Sequence, residues 1–310
     1  MEIIKEINHL KTEKNAIILG HYYQRPEVQD ISDFIGDSLA LAKAAMNTTA
    51  DTIVFCGVHF MAETAKILNP KKTVLVPDLE AFCSLADSCK YEDLKIFKEK
   101  HPNAMVVSYV NCSAAVKTIS DLICTSGNAL ELIKKIPAEQ EIIFAPDKNL
   151  GGYINRMLGR NMILWEGSCH VHNQLKAEQV LLLKQKHPNA KLLAHPECTE
   201  PVLLLADFVG STSAMLNFVK TNTLARTCSP CQNSYIVATE TGIVHQMQKI
   251  CPQSKFFVVS NDVDCACNDC EYMKLNTLEK IHLCLRDETP KIELSDEIIE
   301  LARKPLLAMM

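Results

Sequence analysis

No apolar run in this 310-residue chain reaches the roughly 18–20 residues that a membrane helix needs. Charge is not clustered either. The net charge of −5 is spread without runs, which leaves no electrostatic case for nucleic acid or an anionic membrane as partner. The N-terminal stretch Met1 to Leu10 interleaves apolar residues with Lys5, Glu6, Asn8 and His9, an amphipathic helix rather than a signal peptide or a span. These absences imply a cytoplasmic protein. Hydrophobic residues at 47% and charged residues at 22% describe an ordinary globular chain, long for one core and comfortable for two or three small ones.

Cysteine, by contrast, is abundant. Fourteen thiols do not suggest a disulfide framework, which belongs to short secreted chains. Metal binding is the better class. Cys56, Cys124, Cys198 and Cys284 lie in or beside apolar patterns and read as small buried hydrophobes, as does Cys89.

The chain repeats in thirds. Each opens on an apolar strand with a polar end: Ile17 to His21, Val106 to Asn111, Leu192 to Glu197. A small hydroxyl-bearing turn follows before an apolar helix: Gly36-Asp37-Ser38, Thr125-Ser126-Gly127, Gly210-Ser211-Thr212. Then come a second strand (Ile53 to Phe55, Ile142 to Phe144, Tyr235 to Val237) and a third (Val74 to Pro77, Met162 to Trp165, Phe256 to Val259). The third strand runs on to Cys83, Cys169 or Cys270, and the interval from Cys83 to Cys169 equals that from Tyr109 to His195. Strands that are apolar without alternation suit parallel sheets covered on both faces. The pattern predicts an α/β protein of three pseudo-threefold-related α/β/α sandwich domains, each with a small parallel sheet, around a central active site. The expected units are residues 1–84, 85–170 and 171–274, with a helical segment 275–310 packing back on the first. The last third is longer, with its extra length around Lys220 to Gln232 and Asp262 to Asp269.

Ligands of open parallel sheets bind beyond the carboxyl ends of the strands. His21, Tyr109, Asn111, His195 and Glu197 all sit there. Ser38, Ser126, Ser211 and Thr212 mark helix starts, with Ser or Thr expected at the cap. A helix start offers unpaired N–H groups, so three of them aimed at one centre would suit a substrate with several carboxylates or a phosphate. For the thiols, spacing alone decides nothing. The repeat would gather Cys83, Cys169 and Cys270, whereas Cys228-x-x-Cys231 with Cys265, Cys267 and Cys270 would make a zinc-ribbon pair of knuckles.

The ordered blocks of the chain resemble the quinolinate synthase A family, iron–sulfur enzymes of de novo NAD biosynthesis. They include Gly20-His21-Tyr22-Tyr23-Gln24, Gly36-Asp37-Ser38-Leu39, Gly57 to Glu63 and Val76-Pro77-Asp78. They continue through Tyr109-Val110-Asn111, Cys124-Thr125-Ser126, Pro146 to Gly151, His195-Pro196-Glu197-Cys198, Gly210-Ser211-Thr212 and Met273 to Leu278. The resemblance implies a 4Fe-4S cluster held by Cys83, Cys169 and Cys270, with one iron left open as a Lewis acid. It implies condensation of iminoaspartate with dihydroxyacetone phosphate to quinolinate, with loss of phosphate and two waters. It also implies functional coupling to an aspartate-oxidising enzyme.

The matching positions for substrate binding are His21, Ser38, Tyr109, Asn111, Ser126, His195 and Thr212, with Ser211 adjoining. Glu197 is expected as general acid/base, with Tyr23 assisting and His195 beside them. His172 matches a cavity histidine or a group next to the cluster. One departure stands out: Asp264 occupies the place of the first cysteine in the Cys-x-x-Cys-x-x-Cys of many bacterial relatives. Cys270 is the expected ligand because it precedes Glu271-Tyr272-Met273-Lys274, with Cys267 as second choice, and no redox-switch disulfide is carried over. The competing readings are a zinc-stabilised binding protein and a related iron–sulfur hydro-lyase acting on another small acid.

Overall fold

A computed structural model describes residues 2–224, 233–260 and 268–310. Cys228, Cys231, Cys265 and Cys267, the proposed zinc-ribbon thiols other than Cys270, lie outside the described residues.

The first sheet contains β1 (Ala16–His21), β2 (Phe34–Gly36), β3 (Thr52–Cys56) and β4 (Thr73–Leu75), all parallel, in the order β2-β1-β3-β4. The second has β5 (Met105–Tyr109), β6 (Leu122–Cys124), β7 (Ile142–Ala145) and β8 (Ile163–Leu164), in the order β6-β5-β7-β8. The third has β9 (Lys191–Ala194), β10 (Phe208–Val209), β11 (Ser234–Ala238) and β12 (Lys255–Val258), in the order β10-β9-β11-β12. One topology is thus used three times, and the expected fold class of three parallel-sheet α/β/α domains is what the chain adopts.

The absence of alternation in the strands has a direct cause. In β3 all five residues are buried. Ile53 and Phe55 pack with Leu41, Met61 and Ala62 on one face of the sheet. Val54 and Cys56 pack with Ile7, Ile281, Cys284 and Leu285 on the other. Helices therefore cover both sides, and neither strand face needs polar residues.

Each third has four strands, within the three or four that the pattern predicts, the additional one being the short β2, β6 or β10 at the sheet edge; β5 and β9 end earlier than the apolar runs suggest, at Tyr109 and Ala194. Asn111, His195 and Glu197 consequently sit in turns just past the strands. A further repeat is carried by aspartate. Asp33, Asp121 and Asp207 accept the backbone N–H of Ile18, Val106 and Leu192 at 2.8, 2.8 and 2.7 Å. Each also pairs with a lysine of the preceding helix: Lys11 at 2.5, Lys98 at 3.5 and Lys184 at 3.2 Å. The aspartate thereby locks the entry to the edge strand against the central strand, in the same way three times.

The last helices close the structure. Leu278–Asp287 packs on Glu2–Glu13 and β3, while Asp296–Leu307 lies against His59–Leu68 and Ala114–Thr118. Between them Val76 donates its N–H to Pro290 O and Ile292 donates to Val74 O, which covers the outer edge of β4. Among the described residues no helix is long and apolar enough to cross a membrane.

Candidate active site

The carboxyl ends of β1, β5 and β9 deliver His21, Tyr109 and His195 to one cavity of about 70 Å³, several times the about 10–15 Å³ that a single water needs. Two residues past those positions, Tyr23, Asn111 and Glu197 join them on the wall. The turns are alike: Tyr23 donates its N–H to His21 Nδ1 at 3.1 Å, and Glu197 donates its N–H to His195 Nδ1 at 3.4 Å. With Nδ1 accepting, each ring presents an Nε2–H donor. Burial lowers His21 to a pKa of about 4 and His195 to about 3, so both rings are neutral near pH 7.

Glu197 is the hub. Tyr109 donates its hydroxyl to Glu197 Oε1, and His172 Nδ1 lies 2.9 Å from Glu197 Oε2. Burial alone would raise this carboxyl. Hydrogen bonds from His172 and Tyr109 oppose that and favour the ionised Glu197, which lies below the usual carboxylate range. Because the carboxylate can only accept, His172 carries its proton on Nδ1. Its Nε2 lies 2.8 Å from Thr239 Oγ1, which is 2.8 Å from the Tyr23 hydroxyl, itself 3.0 Å from Thr212 Oγ1. With a neutral His172 the donors fall into one order: Thr212 to Tyr23, Tyr23 to Thr239, Thr239 to His172, His172 to Glu197. The chain links residues of the first and last thirds and ends on an anionic carboxylate that also accepts from Tyr109 of the second.

The hydroxyl turns divide their work. Asp37, not Ser38, caps Ser38–Asn47, its carboxylate accepting Ala40 N–H at 3.1 Å. A charged acceptor suits the helix start better than a hydroxyl, and Ser38 is left free on the cavity wall. In the second third Asn128 Oδ1 accepts Thr125 N–H at 2.7 Å, which leaves Ser126 on the wall. In the third, Ser211 is the cap, accepting Ala214 N–H at 3.3 Å, and Thr212 faces the cavity while Ser211 does not line it. Asn111 Oδ1 is buried without a hydrogen-bond partner among the described residues, an acceptor left for a ligand.

Cys83, Cys169 and Cys270 line the same cavity. Each opens a tight turn whose N–H groups point back at its sulfur: Leu85 and Ala86, then His172, then Tyr272 and Met273. The thiols are close enough that Cys270 raises Cys83 and Cys83 raises Cys169. Burial is the larger cause, pushing Cys83 up to about 12 and Cys270 to about 11. Without a cation these thiols stay protonated, and a bound metal would displace the protons. Three sulfurs with inward-pointing N–H groups are a donor set suited to a sulfur-ligated metal centre. Ligand atoms of Cys169, His172 and Glu197 also lie within 4.8 Å of one another, so this corner can hold a metal ion.

Several residues at the site were not picked out by sequence reasoning. Asp37 and Glu240 line the cavity, Thr239 bridges Tyr23 and His172, and the fully buried Asp147 sits behind Cys169. Asp147 and the Thr239-Glu240 pair stand just past β7 and β11. Applying the strand-end argument to the second strand of each third, as well as the first, would have found them.

Comparison with known proteins gives a consistent result. The family model described as "Quinolinate synthetase A protein" matches residues 5–310. The chain is 52% identical over 311 residues to a quinolinate synthase of Chloroherpeton thalassium, covering 100% of this chain and 94% of the relative. It is 52% identical over 309 residues to one of Microcystis aeruginosa, with coverage of 100% and 94%. For one of Thermosynechococcus vestitus the identity is 51% over 311 residues, with coverage of 100% and 95%.

Proposed function

The chain belongs to the quinolinate synthetase A protein family, and on that footing we propose that it is the enzyme condensing iminoaspartate with dihydroxyacetone phosphate. The products are quinolinate, phosphate and two waters. The observation that carries this reading is the joint lining of one cavity by three thiols, one from each third, and by the Glu197 hydrogen-bond chain. Cys83, Cys169 and Cys270 would hold a 4Fe-4S cluster. When bound, it supplies an iron without a protein ligand, a Lewis acid toward a substrate oxygen.

The chain's own residues do the rest. Nε2–H of His21 and His195 and the hydroxyls of Ser38 and Ser126 donate to the carboxylate and phosphate oxygens of the two substrates, and Thr212 Oγ1, whose proton goes to Tyr23, accepts from a substrate N–H or O–H. Asn111 Oδ1, buried and unmatched, accepts from a substrate N–H or O–H. Neutral histidines are an advantage here, because they donate without pairing their charge to one anion and can release an anionic product.

Glu197, ionised, takes the proton from the carbon that becomes the nucleophile and returns it to a departing hydroxyl. Tyr109 keeps its proton, since burial and the Glu197 charge both raise its pKa, and so holds the carboxylate in place as a donor. The series Tyr23, Thr239 and His172 offers a path by which a proton reaches or leaves Glu197 without bulk water. The apolar wall of Val58, Phe60 and Met61 keeps water from the condensing carbons. Iminoaspartate hydrolyses readily in water, which fits functional coupling to an aspartate-oxidising enzyme that supplies it.

The test is anaerobic purification followed by iron and sulfide analysis and a quinolinate assay with both substrates. Iron and sulfide in the ratio of a four-iron cluster, with quinolinate and phosphate formed together, supports the reading. Zinc without iron, or phosphate release without quinolinate, contradicts it.

A further inference from the structure

Two buried carboxylates behind the thiols have no part in the chemistry above. Asp147 stands two residues past β7 and Glu240 two residues past β11, and both are fully buried. Asp147 Oδ1 accepts Leu150 N–H at 2.7 Å, and its Oδ2 accepts the backbone N–H of Cys169 at 3.1 Å. Glu240 repeats the arrangement. Its Oε2 accepts Gly242 N–H at 2.7 Å and its Oε1 the backbone N–H of Cys270 at 3.2 Å. One oxygen of each grips the start of the next helical segment, and the other reaches across to a cysteine.

The fold itself does not require an acid there. The matching position in the first third, two residues past β3, is the buried Val58. In that third a main-chain bond ties the cysteine loop to the strand end, His59 donating its N–H to Ala81 O at 2.7 Å. The second third has the same main-chain tether, Lys148 to Gly167 O at 2.9 Å, and adds the carboxylate. Burying a carboxylate is costly unless its hydrogen bonds are complete, and an apolar residue serves the packing in the first third.

Close backbone approach supports both clamps. A Cβ on Gly167 would lie 2.5 Å from Pro146 O, and one on Gly242 would lie 2.9 Å from Glu240 Oε2. Glu240 also pairs with Lys274 at 2.8 Å, and the same ammonium donates to Tyr23 O at 2.7 Å. The Cys270 clamp is thus tied to the loop that presents Tyr23.

We propose that Asp147 and Glu240 are positioning residues for the thiol-held metal centre: each fixes the backbone of its cysteine, and so the direction of its sulfur. This rests on the reading that Cys83, Cys169 and Cys270 hold one cluster.

The test compares Asp147→Asn, Asp147→Ala, Glu240→Gln and Glu240→Ala with wild type after anaerobic reconstitution. Readouts are iron and sulfide per chain, iron loss to a chelator, the EPR spectrum of the reduced protein, and far-UV circular dichroism of the metal-free chain. The alanine variants should lose iron to about 10–100-fold lower chelator concentrations, the usual effect of removing groups that orient metal ligands. The amide variants keep one of the two acceptor oxygens and should lose iron less readily than the alanine variants. Alanine variants that hold iron as tightly as wild type, with an unchanged spectrum, overturn the proposal. So does loss of helical signal in their metal-free chains, which would assign the carboxylates to folding alone. Wild type that takes up no iron and sulfide at all would refute the functional reading itself, an outcome separable from either of these.

Discussion

Glu197→Gln separates proton transfer from architecture. The glutamine keeps an oxygen to accept from Tyr109, and its amide can donate to His172 Nδ1, which moves the His172 proton to Nε2 and reverses the bond to Thr239. The polar groups stay matched and the cavity keeps its shape. Only the ability to take and return a proton is lost. A positioned general base contributes about 10²–10⁴ in rate, or about 3–5 kcal/mol of barrier. The variant should therefore lose that factor in kcat and equally in kcat/KM, since the interaction lost acts in the transition state. Glu197→Ala is the poorer experiment: it strands two buried donors, each at about 1–3 kcal/mol, and mixes instability with chemistry. The assay is anaerobic quinolinate formation, with iminoaspartate generated from oxaloacetate and ammonia, on protein whose iron content equals that of wild type. An unchanged kcat in fully loaded Glu197→Gln would refute the assignment of the base.

Three other expectations are simpler. Tyr23→Phe removes a hydroxyl bonded to Thr212 and Thr239, and kcat should fall by about tenfold or more with iron content unchanged, read in the same assay. Asp121→Ala strips the acceptor of Val106 N–H and the partner of Lys98, and should lower stability by about 1.5–3 kcal/mol in urea unfolding without changing KM. Burial lowers His21 from 6.5 to about 4, so below pH 6.5 the unfolded chain binds a proton that the folded chain excludes. Stability should then fall as pH drops from about 6.5 toward 4, by up to about 3 kcal/mol for this one group. His21→Asn should flatten that slope, and urea midpoints of the metal-free chain measured across the range would reveal an unaltered slope if the reasoning fails.

The fold was legible where burial is complete. β1, β5 and β9 run inside their sheets, and burial of all but their first one or two residues writes itself as an apolar run. The edge strands β2, β6 and β10 were not legible because two or three residues are too short a run to carry a pattern, even in β6, which is buried throughout. Asp33, Asp121 and Asp207 each stand 15 residues past the amide they hold, a regular spacing whose meaning lies in a tertiary hydrogen bond.

The candidate site divides in the same way. His21, Tyr109, His195 and Glu197 were found from strand ends, because parallel topology dictates which ends converge. Ser211 was expected to bind substrate from its place in a hydroxyl turn, but its hydroxyl caps the helix and Thr212 faces the cavity. Which of two adjacent hydroxyls caps depends on backbone angles that composition does not encode. Asp147 and Glu240 were passed over because an isolated acid after a strand resembles any surface turn until its burial is seen.

The central claim is that one thiol from each third grips a single cluster. Its most direct measurement is iron and sulfide per chain, with the EPR spectrum, in anaerobically reconstituted wild type and in Cys83→Ala, Cys169→Ala and Cys270→Ala. The account predicts a four-iron cluster in wild type and its loss in every single variant, together with quinolinate formation. A full cluster surviving in any one of the three would contradict it.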